Sequence, residues 1–203
     1  MHKLYSLKKA KQILIATNNP GKFIELKEIL PKNIKYYKPK DFNLREPVEN
    51  GGTFKKNAKI KSSFAAKKTG LICISDDSGL EVDALNKRPG VLSARWAGPS
   101  KNFNNAIKKI YNLLKKKNKL HSKARFICAI SVALPDGSSF EYQGKIEGNL
   151  SFPARGKKGF GYDPIFVPKG YTKTFAQISK IKKNQISHRY KAFIQIKKFF
   201  KFS

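Results

Sequence analysis

The fold follows from the stretch Gln12-Ile-Leu-Ile-Ala-Thr-Asn-Asn-Pro-Gly-Lys22. Within its first six residues, Ile13 to Ala16 place apolar side chains on both faces of an extended chain, which predicts a strand in the interior of a sheet. The Asn-Asn-Pro-Gly turn ends this strand, and Phe23, Leu26 and Leu30 then follow at helical spacing. A buried strand that turns directly into a helix is typical of α/β proteins.

The same criteria predict further elements on the C-terminal side of this stretch. Helices are expected over residues 53–68 and 102–119 and from Ser187 onward, and strands over 34–37, 71–75, 125–134 and 138–146. The tripeptide Pro135-Asp-Gly137 between the last two strands is a hairpin signal. Residues 38–52 are expected to form a loop. We therefore predict a mixed α/β fold with parallel and antiparallel strands.

The chain has 203 residues, which is long enough for a core without disulfide or metal, and we expect a single domain over 1–203. The basic residues 1–11 lack the apolar segment of a secretory signal. No apolar run approaches the roughly 18 residues that span a bilayer. Cys73 and Cys128 lie in apolar runs without metal-ligand spacing, so buried free thiols are expected. These features favour a cytoplasmic protein.

The formal net charge is +30, and 37 of the 43 basic residues are lysines spread over nearly every segment. A nucleic-acid-binding face usually gathers its charge and uses arginine for bidentate contacts. The abundance of Lys, Ile, Asn and Phe instead suggests A·T-rich codons. Attraction of a polyanionic substrate is the functional alternative.

Acidic residues are scarce, and four of the 13 fall within eight positions: Asp76, Asp77, Glu81 and Asp83. Because clustered carboxylates repel one another, we expect the Asp76-Asp77 pair to serve metal binding or proton transfer. Glu81 and Asp83 are equally well explained as solvent-facing residues. The pair follows the predicted strand at 71–75, and ligands of open α/β sheets bind at that end of the strands.

Two other segments suit a nucleotide. The turn from Thr17 to Lys22 offers backbone N–H groups and an ammonium to phosphate, although it lacks the Walker A spacing. Glycines around the aromatic side chains of Gly159-Phe-Gly-Tyr-Asp-Pro164 let a planar base approach the backbone. His188 and Arg189 can donate to ring carbonyls or to phosphate. Together with the aspartate pair, these segments predict a site for a phosphorylated, metal-bound ligand with an aromatic ring.

Six segments resemble, in the same order, those of the non-canonical purine nucleoside triphosphate pyrophosphatase family, the inosine/xanthosine triphosphate pyrophosphatases. They cover nearly the whole chain from residue 12 and leave residues 1–11 as a basic N-terminal extension. The segments are Ile15-Ala-Thr-Asn-Asn-Pro-Gly-Lys22, Glu49-Asn-Gly-Gly-Thr-Phe54, Asp76-Asp-Ser-Gly-Leu-Glu-Val-Asp-Ala-Leu85, Pro89-Gly-Val-Leu-Ser-Ala-Arg95, Gly159-Phe-Gly-Tyr-Asp-Pro-Ile-Phe166 and Ser187-His-Arg189.

The resemblance implies an elongated α/β fold with a mixed sheet and two lobes, the nucleotide lying in the cleft between them. It also implies a homodimer that uses Mg²⁺ to convert ITP, dITP or XTP to the monophosphate and pyrophosphate, which cleanses the nucleotide pool. Neither a membrane nor more than non-specific nucleic-acid binding is implied.

The resemblance also implies a role for individual residues. The triphosphate would be held by Thr17, Asn18, Asn19, Pro20, Gly21 and Lys22. Asp77 would be the general base that activates water, and it would bind the metal together with Glu49. Phosphate or sugar would be bound by Lys61, Ser78 and Lys183. The base would pack on Phe160, Gly161, Tyr162 and Asp163, and its 6-keto edge would be read by His188 and Arg189.

The sequence departs from the family at Lys56, Gln177 and Lys182, where acids are common. We interpret these changes mostly as surface consequences of the lysine enrichment. If an acid at position 56 helps to hold the metal or to orient Lys61, its loss weakens metal affinity. Two other functions remain open: a nucleic-acid-binding protein on an enzyme-like fold, and a pyrophosphatase for modified pyrimidine triphosphates.

Overall fold

The computed structural model describes residues 10–200, and side chains as far as residue 197. The helices are α1 (Pro20–Ile29), α2 (Phe54–Thr69), α3 (Phe103–Lys116), α4 (Lys180–Ile186) and α5 (His188–Phe200). The strands are β1 (Gln12–Ile15), β2 (Lys35–Tyr37), β3 (Ile72–Val82), β4 (Lys123–Ala133), β5 (Ser139–Leu150) and β6 (Phe166–Pro168). Residues 1–9, most of the predicted N-terminal extension, lie outside the described residues.

The six strands form one sheet in the order β2-β1-β3-β4-β5-β6. Strand β1 is parallel to β2 and to β3, with Ile13 opposite Ile72 and Ile15 opposite Ile74. Strands β5 and β6 are antiparallel, with Leu150 opposite Phe166. The predicted mixed α/β fold is therefore confirmed.

The chain divides into two compact units. Among the described residues, the first unit consists of residues 10–77, 128–144 and 189–200, and the second of residues 78–127 and 145–188. Neither unit is one continuous segment, since the chain passes from one to the other four times. A single domain over 1–203 stays a prediction.

Strand β1 forms the centre of the first unit's core because both of its faces are covered. Ile13 and Ile15 pack with Leu26 of α1 and with residues of α5. On the other face, Leu14 packs with Ala65 of α2. This two-sided burial confirms that the apolar run at residue 12 is an interior strand.

The second unit has its own core, to which α3 contributes Ala106, Ile110 and Leu114 at the helical spacing predicted from the sequence. Strand β6 contributes Phe166. Gly148 of β5 lies against the backbone of Val167, where a Cβ would collide with its carbonyl oxygen. Glycine is therefore needed for the close approach of β5 and β6.

The helices begin where polar side chains satisfy their first N–H groups. Asn19, Thr53, Asn102 and Ser179 each accept a hydrogen bond from a backbone N–H in the first turn of α1, α2, α3 and α4 respectively. The prediction that Thr53 is the N-cap of α2 is confirmed.

Three local expectations differ from the structure. Strand β3 was expected to end at residue 75 but continues through the aspartate pair to Val82. The seven-residue helix α4 was not predicted, because Lys-Ile-Lys-Lys-Asn-Gln-Ile lacks an apolar helical face. The expected loop over 38–52 contains one 3₁₀ turn at Pro39–Phe42.

Both cysteines are buried and free, as predicted. Burial raises the pKa of the Cys73 thiol to about 12, although a hydrogen bond with Thr69 opposes the shift. A thiol with so high a pKa is a weak nucleophile at neutral pH. Within residues 10–200, no helix is long and apolar enough to cross a membrane.

We expect Lys56→Glu to stabilise the protein by about 0.5–1 kcal/mol. Lys56 is the third residue of α2, its N–H donates to Thr53 Oγ at 3.2 Å, and the first turn holds no acid. A glutamate there can accept a hydrogen bond from the Thr53 N–H and also offset the positive helix terminus. The change is measured as the free energy of unfolding in urea.

Two matched variants separate these effects. Lys55→Glu, one residue earlier, gains only the interaction with the helix dipole and should stabilise less. Lys68→Glu, in the last turn of α2, should stabilise nothing or destabilise. Equal stabilisation by all three variants would contradict the capping argument and indicate relief of general charge repulsion.

Candidate active site

The centre of the candidate site is the aspartate pair within β3. Strand β1 ends beside Ile74, so Asp76 and Asp77 extend beyond the end of their neighbour strand. Successive side chains of a strand point to opposite faces, and the two carboxylates accordingly have different partners. Both side chains are buried.

Asp76 is fully buried and is surrounded by cations. Its Oδ2 lies 3.3 Å from Lys22 Nζ and accepts a hydrogen bond from Arg189 Nη2 at 3.0 Å. Burial on its own would raise the pKa of Asp76, but the charges of Lys22, Arg189 and Lys61 outweigh it and lower the pKa. Asp76 is therefore a permanent anion at neutral pH.

Arg189 also forms an ion pair with Glu25 of α1 through its Nη1. Its side chain and that of Glu25 are both buried. The guanidinium thus joins α1, β3 and the start of α5 within the first unit. These contacts favour a positioning role for Arg189, and direct recognition of a base by this residue stays a prediction.

Asp77 has the properties of a proton acceptor. Its Oδ2 accepts a hydrogen bond from Asn57 Nδ2 of α2 at 3.0 Å. Burial raises the pKa of Asp77, and the charge of Glu49 adds to this, while the charges of Lys22 and Lys61 oppose it. The net effect is a carboxylate that is more basic than an ordinary aspartate.

Lys61 of α2 is the second buried cation near the pair. Its Nζ lies 2.5 Å from Glu49 Oε1. Burial lowers the pKa of Lys61, but Asp76, Glu49 and Asp77 together outweigh it and raise the pKa. Lys61 therefore carries its charge in an interior position, where a charge interacts more strongly than on the surface.

The predicted phosphate turn lies beside these groups. The Thr17 hydroxyl accepts from the Asn19 N–H at 3.2 Å, and Asn19 Oδ1 accepts from the Lys22 N–H at 3.0 Å. Asn18 donates to Glu46 Oε2 at 3.2 Å. Pro20 and Gly21 form the first residues of α1. The structure thus brings the turn, Lys61, Glu49 and the aspartate pair together in the first unit.

The second unit contains the predicted base-binding segment. Asp163 Oδ2 accepts the Phe160 N–H at 2.9 Å and lies 2.5 Å from Lys183 Nζ, and both ionic side chains are buried. The Lys183 ammonium lies 4.7 Å from the centre of the Phe160 ring. A Cβ on Gly159, whose φ is +74°, would collide with Asp163, so only glycine fits there. The ion pair therefore fixes the backbone that carries Phe160.

The other predicted residues of this unit are held by packing. The Tyr162 hydroxyl donates to the Ser93 carbonyl at 2.9 Å, and its ring meets Phe103 edge to face. The His188 imidazole stacks on Phe126 with ring centres 4.9 Å apart. Gly161 and Ser78 are partly exposed, and Ser78 directly follows Asp77 in β3.

Two residues near the aspartate pair were not identified from the sequence. Asn57 bonds Asp77, and Glu25 pairs with Arg189. Asn57 could have been identified from its position one turn after the Thr53 cap. Asparagine is disfavoured inside helices, so its presence there indicates a specific partner. Glu25 lies next to the buried Leu26, and an acid at such a position requires a partner.

The donor set fits a hard divalent cation shared with phosphate. Carboxylate oxygens are suitable ligands for Mg²⁺, which is usually bound by one or two carboxylates plus substrate phosphates. The buried Asp76 Oδ1 has no hydrogen-bond partner among the described residues, and Glu49 and Asp77 repel each other. Within residues 10–200 no group of three metal-ligating side chains forms a closed site by itself.

The mixed sheet and the carboxylate–lysine cluster at the end of β1 define an α/β protein with a polar site suited to phosphate. The sequence pattern of the Ham1 family matches residues 13–199, and the chain belongs to this family. This confirms the resemblance of the six sequence segments.

Individual relatives and solved structures agree with the assignment of the chain to the Ham1 family. A dITP/XTP pyrophosphatase from Zymomonas mobilis is 44% identical over 187 residues, which are 91% of this chain and 90% of the relative. The solved structure of a HAM1 protein from Coxiella burnetii has a TM-score of 0.85 at 36% identity and covers 94% of this chain and 98% of its own. The Ham1 protein of Staphylococcus aureus has a TM-score of 0.81 at 40% identity, with the same coverage.

We expect Arg189→Met to lower the free energy of unfolding by about 3–5 kcal/mol. The substitution removes the cation that pairs with the buried Glu25 carboxylate and one of the two cations that pair with the buried Asp76 carboxylate. Urea unfolding followed by circular dichroism measures the loss. Arg155→Met, at an exposed arginine, should change stability by no more than about 0.5 kcal/mol. A similar small effect at Arg189 would contradict the proposed role of the ion pair.

The raised pKa of Asp77 predicts a limb of low activity at acid pH. Asp77 must be deprotonated to accept a proton, so kcat/KM falls as the pH falls through the pKa of Asp77. Lys22→Met removes a charge that lowers this pKa, and we expect the limb to move to higher pH. Lys67→Met removes the same charge from an exposed position and should leave the limb in place. An unmoved limb in Lys22→Met would show that another group controls it.

Proposed function

We propose that this protein hydrolyses non-canonical purine nucleoside triphosphates (ITP, dITP and XTP) to the monophosphate and pyrophosphate. The observation that carries the proposal is the buried Asp77 carboxylate, whose pKa is raised, beside the cations Lys22 and Lys61. The activity named for the Zymomonas mobilis relative, 44% identical over 91% of this chain, supports the same reaction.

Asp77 acts as the general base of this reaction. It takes a proton from the attacking water as the water oxygen bonds to phosphorus, and the bond between the α- and β-phosphates breaks. The Asn57 amide donates to Asp77 Oδ2 and so orients the carboxylate. No covalent intermediate is needed, and the buried thiols take no part.

Lys22, Lys61 and the Thr17–Lys22 turn bind the triphosphate. In the free protein Lys61 is paired with Glu49, and Lys22 with Asp76. The substrate phosphates carry more negative charge than these two carboxylates. The ammonium groups of Lys22 and Lys61 bind the phosphates and stabilise the charge that develops in the transition state. Ser78, next to Asp77, donates its hydroxyl to phosphate or sugar.

In this proposal Mg²⁺ would be held by Asp77 and Glu49 together with substrate phosphate. It would supply Lewis-acid polarisation of the phosphoryl oxygens, by which phosphorus becomes more electrophilic.

The residues to which the family resemblance assigns base selection lie in the second unit, except Arg189. Phe160, Gly161, Tyr162 and Asp163 form the segment on which the base packs, and Lys183 fixes that segment through Asp163. His188 donates to the 6-keto group. A 6-amino group leaves such a donor unpaired, and this selects against adenine. Arg189 directly follows His188 at the beginning of α5. Its ion pair with Asp76 therefore fixes the position of this end of the helix.

Pyrophosphate release from ITP, dITP, XTP, ATP, GTP and dTTP, each with and without Mg²⁺, tests the proposal. We expect metal-dependent turnover of the first three only. Asp77→Asn should lower kcat about 100-fold or more, and Asp136→Asn, an exposed hairpin residue, should have no effect. Turnover of dTTP alone would favour pyrimidine substrates, and full activity of Asp77→Asn would overturn the mechanism.

Two further parts of the proposal are a homodimer, which rests on the family resemblance, and a cytoplasmic location, which rests on the sequence features of the chain. Light scattering during gel filtration distinguishes a monomer of 23.0 kDa from a dimer.

A further inference from the structure

The outer surface of α3 is a second site of concentrated positive charge, in the second unit. No acid occurs between Asp83 and Asp136, while twelve lysines and arginines do. On the helix itself, Lys108, Lys109 and Lys116 are exposed. These charges are not part of the proposed catalytic cluster, which lies in the first unit.

Two grooves adjoin on this surface and share Lys108. One is a shallow, open groove lined only by residues of α3, including Asn105, Asn112 and Lys116. These three and Lys108 recur at intervals of three or four residues, so that they form one stripe along the helix. The stripe from residue 105 to 116 is about 16 Å long.

The other groove has a volume of about 500 Å³ and contains aromatic side chains. Tyr111 of α3 and Phe152 line it, with ring centres 5.3 Å apart. Both side chains are partly exposed, so their outer surfaces are open to a flat ligand. On the same helix, Lys109 lies over the ring of Trp96 at 4.5 Å.

We propose that the α3 surface binds single-stranded nucleic acid, with Lys108, Lys109 and Lys116 on phosphates and Tyr111 under a base. Ammonium groups beside aromatic rings are the combination that single-strand binding uses, and sites of four or more nucleotides are usual. The asparagine amides can both donate to and accept from base edges. A second copy of this chain is a less suitable ligand, because docking of two α3 surfaces would bring two sets of lysines together.

The test measures binding of the full-length protein to a fluorescein-labelled 15-nucleotide oligo(U) by anisotropy, between 0.05 and 0.3 M NaCl. The triple variant Lys108→Gln/Lys109→Gln/Lys116→Gln should weaken binding roughly tenfold or more at 0.15 M salt. The slope of log K against log salt should fall in magnitude by about 2, since each phosphate contact on a single strand contributes about 0.7.

A matched triple on α2, Lys59→Gln/Lys67→Gln/Lys68→Gln, removes three exposed lysines of the first unit. It should leave both affinity and slope nearly unchanged. Equal losses in the two triples would overturn the proposal, because binding would then follow net charge alone. Turnover of ITP is expected to be normal in both triples.

Tyr111→Leu keeps an apolar side chain in the groove and removes the flat ring. We expect about fivefold or greater weakening with an unchanged salt slope. Binding should also change the emission of Trp96, the single tryptophan. If Tyr111→Leu has no effect, or if a duplex of equal length binds as tightly, the proposed base contact is wrong. Loss of binding to phosphatidylserine vesicles in the α3 triple without loss of oligo(U) binding would assign this surface to membranes instead.

Discussion

The site depends on the burial of two neighbouring carboxylates in β3. Taking charges out of water is costly, and an interior ion is tolerated only where counter-charges and hydrogen bonds surround it. Asp76 has Lys22 and Arg189, while Asp77 has Asn57. These partners come from α1, α2 and α5, so the same contacts that stabilise the carboxylates also hold the helices of the first unit on its sheet.

The different surroundings of the two aspartates separate their roles. Cations keep Asp76 ionised, and its low pKa makes it a weak base suited to binding cations. Asp77 combines burial with the neighbouring Glu49, so it retains a proton more readily and is the better proton acceptor. A pair of adjacent carboxylates whose pKa values are pushed apart by their environment is a general way of assigning acid–base function.

The lysines that give the protein its high positive charge fall into two groups, one paired with acids in the interior and one exposed. Lys22, Lys61 and Lys183 are paired with acids in the interior or at its edge, where each charge has a defined partner. Most other lysines are exposed, where pairing contributes little to stability. On the α3 surface, Lys108 adjoins a groove lined by Tyr111 and Phe152, and Lys109 lies over the ring of Trp96.

The sequence by itself determined the interior strand at residue 12, the helix that follows it, the Thr53 cap and the apolar face of α3, because these depend on local periodicity and capping. It also located the aspartate pair and the glycine-flanked aromatic segment. Tertiary structure alone decided that β3 continues through the aspartates: acids are disfavoured in strands, and only cations from distant segments make their burial possible. The same reason explains why Glu25 and Asn57 were missed and why Arg189 faces carboxylates, since ion pairs between residues far apart in the chain leave no periodic signal.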